Sequence, residues 1–184
     1  MGILNTDSKE KNMNSNLRRI AYHEAGHAAA ELVFGNSPFN VTIEPGGDQL
    51  GHSHQLYGDV FSEEGIRKEI ISLYAGAEAE HLVNDDYDSI KEGAWSDDEK
   101  AEEHLERLSK TEADKRQIAA DLRKETAEFI QNHRKLVDLI ALELLGHVTL
   151  DLEELDYIYD IYKGEATEEE LEEYRLARAG YKSV

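Results

Sequence analysis

The chain has 184 residues, 40% of them hydrophobic, which suffices for one domain with a real core and is too apolar for a disordered chain. Acidic residues outnumber basic ones 40 to 20, a net charge of −20 with no Lys/Arg cluster to offset it. Such a surface repels phosphate backbones and anionic lipid, and excludes nucleic acid as a partner. The chain has no cysteine, so it carries neither a disulfide framework nor a thiolate metal site, and no apolar run approaches the roughly 18 residues that cross a bilayer.

In chain order, residues 1–16 lack the basic-then-apolar order of a signal peptide and read as a flexible polar arm, so the chain reads as soluble and cytoplasmic. Residues 17–34, "LRRIAYHEAGHAAAELVF", are expected to form the first helix, capped by Asn16 or Ser15 and stopped by Gly35-Asn36. "FNVTIEP", 39–45, is the best strand candidate, and "QLGHSHQLY", 49–57, would pair with it across a Gly-rich turn. Ser62 caps a second helix reaching Val83, with Ile66, Ile70, Leu73, Ala77 and Leu82 as its apolar stripe. Residues 84–95 read as a turn region, after which Ser96 and Glu99 form a capping-box pair opening a further helix. From Thr111 to Leu145 the pattern is helical, as one helix or as two with a bend near Asn132, ended by Gly146. "TLDLEELDYIYDIYKG", 149–164, reads as another helix with Asp151 and Glu154 as its cap pair, and Thr167 with Glu170 opens an acidic, peripheral segment. The expected fold is mainly α, with a small β-hairpin or short sheet near residues 39–57.

Within the first helix, "HEAGH" sets His23 and His27 one turn apart on one face, where both imidazoles can bind a single ion. Zinc takes imidazole nitrogen at about 2.0–2.1 Å and keeps one position open in catalytic sites. Glu24 lies about 100° further round the helix, beside that open position. Zinc lowers the pKa of a bound water to roughly 7, and a carboxylate so placed takes its proton, which is the logic of H-E-x-x-H in metallopeptidases. Two histidines at this spacing also occur on acidic surface helices. Here Ala25, Gly26, Ala28, Ala29 and Ala30 surround them, and a stretch that small and apolar belongs in an interior. Gly26 in mid-helix costs about 1 kcal/mol against Ala, which implies that another backbone passes close by.

The third ligand is open at this point. The motif that continues to a third histidine six residues on is excluded, because Ala30 and Val33 occupy its glycine and histidine positions. An Asp or Glu beyond residue 75, or one of His52, His54, His81, His104, His133 and His147, remains eligible. Asp97 and Asp98 stand out at a helix start beside Gly93-Ala94, although the helix dipole favours acids there in any case.

Five blocks, in order, resemble the peptidase domain of the FtsH family of ATP-dependent zinc proteases: "RIAYHEAGH", "VTIEPGGDQLG", "SLYAGAEAEHLV", "GAWSDDEKA" and "LIALELLGHVTLDLEEL". The resemblance covers roughly residues 17–160. It implies His23, His27 and Asp97 as zinc ligands and Glu24 as general base; Ala101, four residues on, matches the family's alanine and favours Asp97 over Asp98. The family's Gly-Gly-Arg reads Ala75-Gly76-Ala77 here, and Trp95 stands beside the implied ligand. No G-x-x-x-x-G-K-[ST] loop is present, so this sequence is expected to lack the ATPase module, either as a piece of a longer protein or as a stand-alone peptidase, the reading that the initial Met and the acidic tail favour.

The organisation expected is an arm over 1–16, a zinc peptidase domain over 17–163 and an acidic C-terminal helix or tail over 164–184. The expected activity is a zinc-dependent endopeptidase acting on unfolded or loosely folded polypeptide, the substrate extended along the strands of 39–57. Tyr22, His52, His54 and Tyr57 are candidates for stabilising the oxyanion. A non-proteolytic zinc-binding regulator or adaptor is the alternative. Partners are a polypeptide substrate and either copies of itself or a larger ATPase-bearing protease, with no membrane insertion.

Overall fold

The computed structural model describes residues 6–38, 40–44 and 62–181. The order is α1 (Thr6–Phe34), β1 (Asn40–Thr42), α2 (Glu63–Glu80), α3 (Tyr87–Gly93), α4 (Trp95–Leu108), α5 (Glu112–Asn132), α6 (Arg134–His147), β2 (Thr149–Asp151), α7 (Leu152–Lys163) and α8 (Glu168–Tyr181). The fold is mainly α with one small two-stranded antiparallel sheet. Among the described residues, no helix is long and apolar enough to cross a membrane.

Local chemistry accounts for most of the boundaries. The Ser62 hydroxyl accepts from Gly65 N and caps α2. At α7, Asp151 and Glu154 form the reciprocal capping box, and Thr167 and Glu170 exchange the same bonds at the start of α8. Gly35, at φ +83°, ends α1. The pattern over 111–145 resolves into two helices that meet at His133.

Five expectations need correction. Helix α1 starts at Thr6 and not at Leu17; residues 6–16 hold no Pro or Gly to stop it, and Asn16 accepts from Arg19 instead of capping. The stretch 84–95 contains helix α3, because Asp86 caps it by accepting from Ser89 N. Ser96 lies inside α4, whose N-cap is Ala94: the Ala94 carbonyl accepts from both Asp97 N and Asp98 N. Gly146 lies within α6, and Val148 makes the turn at φ +68°, a costly conformation for a β-branched residue. It is held there by its own N–H on Leu144 O at 2.8 Å and by Ile43 N on its carbonyl at 2.9 Å. Residues 149–151 are strand and not helix: β2 is the described partner of β1, with Val41 opposite Leu150. The expected partner, 49–57, lies outside the described residues.

Helix α1 is the central element, packed on α2 along one side and on α6 along the other. One core joins α1, α6, α7 and both strands around Ile140, Leu144, Leu150 and Leu155. A second joins α2, α4 and α5 around Ile70, Leu105 and Leu122. Each such side chain contributes about 1.5–3 kcal/mol by leaving water. The α1–α2 seam, with Ala25, Ala75 and Ala79 in the first core, carries the histidine pair.

Candidate metal centre

Helices α1 and α2 cross antiparallel and unusually close. A Cβ on Gly26 would lie 2.2 Å from the Ala75 carbonyl oxygen and 2.7 Å from Ala79 Cβ, so only glycine fits at the crossing. The close backbone implied by a glycine in mid-helix is therefore that of α2. This contact sets a residue ladder: 23, 27 and 31 on α1 face 80, 76 and 72 on α2, each series stepping by one helical turn.

The ladder orients both imidazoles. A carbonyl can only accept, so His27 Nδ1–H donates to Ser72 O, at 2.8 Å, and in the neutral ring Nε2 carries the lone pair. His23 Nδ1 lies 3.5 Å from Glu80 Oε2, which turns its Nε2 the same way. Glu80, only 2% exposed, is itself bonded by Arg19 Nε at 2.5 Å and Asn84 Nδ2 at 2.9 Å.

The two Nε2 atoms stand 3.2 Å apart, and each is 3.3 Å from Asp97 Oδ2. Asp97 arrives from the first turn of α4, 74 residues after His23, with Ala101 and Leu105 of the same face anchored in the second core. Donors of a tetrahedral zinc at ~2.0–2.1 Å are separated by about 3.3 Å, so the spacing fits such an ion. Gly76 supplies a second test of fit. A Cβ there would lie 2.3 Å from His27 Nε2 and 2.8 Å from His23 Nε2, in the space an ion bound by both nitrogens would use. The third test is Glu24, whose Oε2 is buried without a hydrogen-bond partner beside this cluster. His23, His27 and Asp97 could thus hold a metal ion, and among the described residues they form the one His/Asp/Glu group so arranged.

The electrostatics favour positive charge in this space. Burial pushes the His23 pKa down, but hydrogen bonds to Asp97 and Glu80 outweigh it and raise it to about 9. Burial pushes Asp97 up, and its bonds to His23 and His27 more than reverse this, holding it well below the usual carboxylate range. Glu24 is raised, by burial first and by the Asp97 charge, against the opposing pull of the two histidines.

The other sequence candidates are dispersed. His81 packs its ring at a tilt against Tyr87, His133 bonds the Tyr162 hydroxyl at 3.0 Å, and His147 lies 3.6 Å from Glu143. His104 lies further along α4, outside the cluster. Asp98 turns to Arg123, at 2.8 Å. Tyr22 donates its hydroxyl to Asp138 on α6 and so faces away from the seam. Trp95, 66% exposed, stands about 200° round α4 from Asp97, on the solvent side. His52, His54 and Tyr57 lie outside the described residues. Sequence patterning does not distinguish Glu80, Ser72 and Gly76 individually; their spacing of four, matched to that of the histidines, is the signal that points to them.

Comparison with known proteins identifies the family. The profile of peptidase family M41 matches residues 10–110. An ATP-dependent zinc metalloprotease FtsH of Karelsulcia muelleri is 33% identical over 97 residues, covering 50% of this chain and 14% of that protein. The protein of the same name from Streptococcus pneumoniae serotype 4 is 26% identical over 211 aligned positions, 91% of this chain and 32% of its own length. That of Syntrophus aciditrophicus is 38% identical over 88 residues, 45% of this chain and 12% of the relative. The chain thus spans about a third or less of the curated relatives it matches. With the profile matched across more than half of its length, and through the helix that carries the histidine pair, this chain belongs to peptidase family M41.

Proposed function

We propose that this chain is a zinc-dependent endopeptidase of unfolded or loosely folded polypeptides, with His23, His27 and Asp97 holding the metal and Glu24 as general base. The observation that carries the reading is the unpartnered, buried Glu24 Oε2 beside three donors at tetrahedral spacing. The chemistry that zinc supplies at such a site is Lewis acidity and a pKa near ~7 for adjacent water. Glu24 accepts a proton from the attacking water at Oε2 as the water oxygen bonds to the scissile carbonyl carbon. It then gives that proton to the amine nitrogen as the C–N bond breaks. Its Oε2, buried and without a hydrogen-bond partner, is available for both halves of the transfer. Ser72 and Glu80 keep the imidazole rings turned, and the close α1–α2 seam keeps bulk water from their inner faces.

None of these steps consumes a nucleotide, so cleavage is expected to be independent of ATP. The catalytic unit is taken as residues 17–163, with 164–184 accessory to it. The test is casein cleavage by protein carrying one zinc per chain. Chelator should abolish cleavage, ATP should leave it unchanged, and Glu24→Gln should bind zinc but cut nothing. Wild type that holds zinc and cuts neither casein nor unstructured peptides would overturn the reading and leave a non-proteolytic zinc-binding regulator.

A further inference from the structure

Glu31 lies one turn beyond His27 on the same face of α1. The Ser72 hydroxyl donates to its Oε1 at 2.5 Å, and Asn36 Nδ2 donates to its Oε2 at 2.7 Å. Ser72 is the residue whose carbonyl takes the Nδ1 proton of His27. Two bonds one turn apart, His27 to the Ser72 carbonyl and the Ser72 hydroxyl to Glu31, thus close a ring between α1 and α2.

The ring is not needed to bring the helices together. Gly26 against Ala75 and Ala79 does that by shape alone. A buried serine and a half-buried carboxylate also lose hydration that an apolar pair of the same shape would not lose. Their contribution therefore lies in direction. The Ser72 carbonyl of a regular helix already receives the N–H four residues on, so His27 must reach its remaining lone pair from a fixed angle. A ring turned by 180° about χ2 would put Cδ2 in the place of Nδ1 and Cε1 in the place of Nε2, and so remove the nitrogen from the cluster.

We propose that Glu31 is a positioning residue for the metal centre: through the Ser72 hydroxyl it holds the Ser72 carbonyl on His27 Nδ1 and so presents His27 Nε2 to the ion. This rests on the metal-binding reading above and adds to it the means by which His27 is aimed.

The test titrates the full chain with Co2+, read by its visible d–d absorption. Glu31→Leu and Ser72→Ala are expected to weaken Co2+ binding by roughly 10-fold or more, the usual effect of losing a partner behind a ligand, and to alter the absorption envelope. Glu31→Gln and Ser72→Thr keep an acceptor and a hydroxyl and should stay within about twofold of wild type. Because the two residues act in series, the double variant should bind no more weakly than either single one. In the metal-free protein, the slowly exchanging His27 Nδ1 proton should be lost in Glu31→Leu and kept in Glu31→Gln. Should Glu31→Leu fail to fold, Ser72→Ala carries the same measurements. Folded variants with wild-type Co2+ affinity and a retained Nδ1 proton overturn the proposal. A wild type that binds no Co2+ instead overturns the metal-binding reading itself, so the two failures are distinguishable.

Discussion

Replacing Gly26 with Ala sets two calculable effects against each other. On helix propensity alone the change stabilises by about 1 kcal/mol, because alanine loses less backbone freedom than glycine in a helix. Against this, the new methyl would stand 2.2 Å from the Ala75 carbonyl oxygen, 2.8 Å from its carbonyl carbon and 2.7 Å from Ala79 Cβ, where ordinary contact begins at 3.4 Å. Two of those atoms are backbone, so the strain cannot be relieved by a rotamer change; α1 and α2 must part by roughly 1 Å. Overpacking of this kind costs about 1–3 kcal/mol, and stretching the buried His27–Ser72 bond adds about 1 kcal/mol more. The net expectation is destabilisation by about 1–3 kcal/mol, together with weaker zinc binding as the ladder opens. Urea denaturation followed by circular dichroism measures the first, and zinc retained after dialysis measures the second. Gly146→Ala is the control: it lies in α6 with nothing within 4 Å of its would-be Cβ, and should gain up to about 1 kcal/mol. If Gly26→Ala is as stable as wild type and keeps its zinc, the close crossing does not hold the site together.

Gly76→Ala places a methyl within 2.8 Å of both Nε2 atoms, and is expected to abolish zinc binding in a protein that still folds; isothermal titration calorimetry reads this directly. Glu80→Ala leaves Arg19 and Asn84 without their shared acceptor in a nearly closed site. It should cost about 3 kcal/mol and weaken zinc binding at least ~10-fold, whereas Glu80→Gln should lose less of both in melting and titration experiments. Truncation after Lys163 removes buried Leu171 and the Arg175 links to Glu143 and Glu154. It should lower stability by about 3 kcal/mol and leave zinc affinity unchanged, as measured on the same preparation.

The parts of the site that read directly from the sequence are those governed by short range. The spacing of His23, Glu24 and His27 is a property of one helix, and the caps at Ser62, Asp151 and Thr167 depend on bonds spanning three residues. Asp97 was not reachable that way. Spacing left it among several acids and histidines, and resemblance to a known family singled it out. Asp98, its neighbour, has the same local chemistry and turns to Arg123 instead. The strand at 40–42 was legible from its β-branched residues. Its described partner was not: 149–151 reads as the opening of a helix, and the positive-φ turn at Val148 that frees it for pairing is stabilised by bonds to residues more than a hundred positions earlier.

By itself, then, the sequence determined a helical protein whose first strong motif presents two imidazoles and a carboxylate from one helix, since 3.6-residue periodicity acts within a few residues. Only the tertiary structure decided what faces that motif. The antiparallel register of α1 on α2, set by steric contact at Gly26, brings Ser72, Gly76 and Glu80 opposite His27 and His23. The burial of Ala101 and Leu105 in the second core then brings Asp97 to the same point. Both depend on contacts between residues dozens of positions apart, and no local pattern encodes such distances.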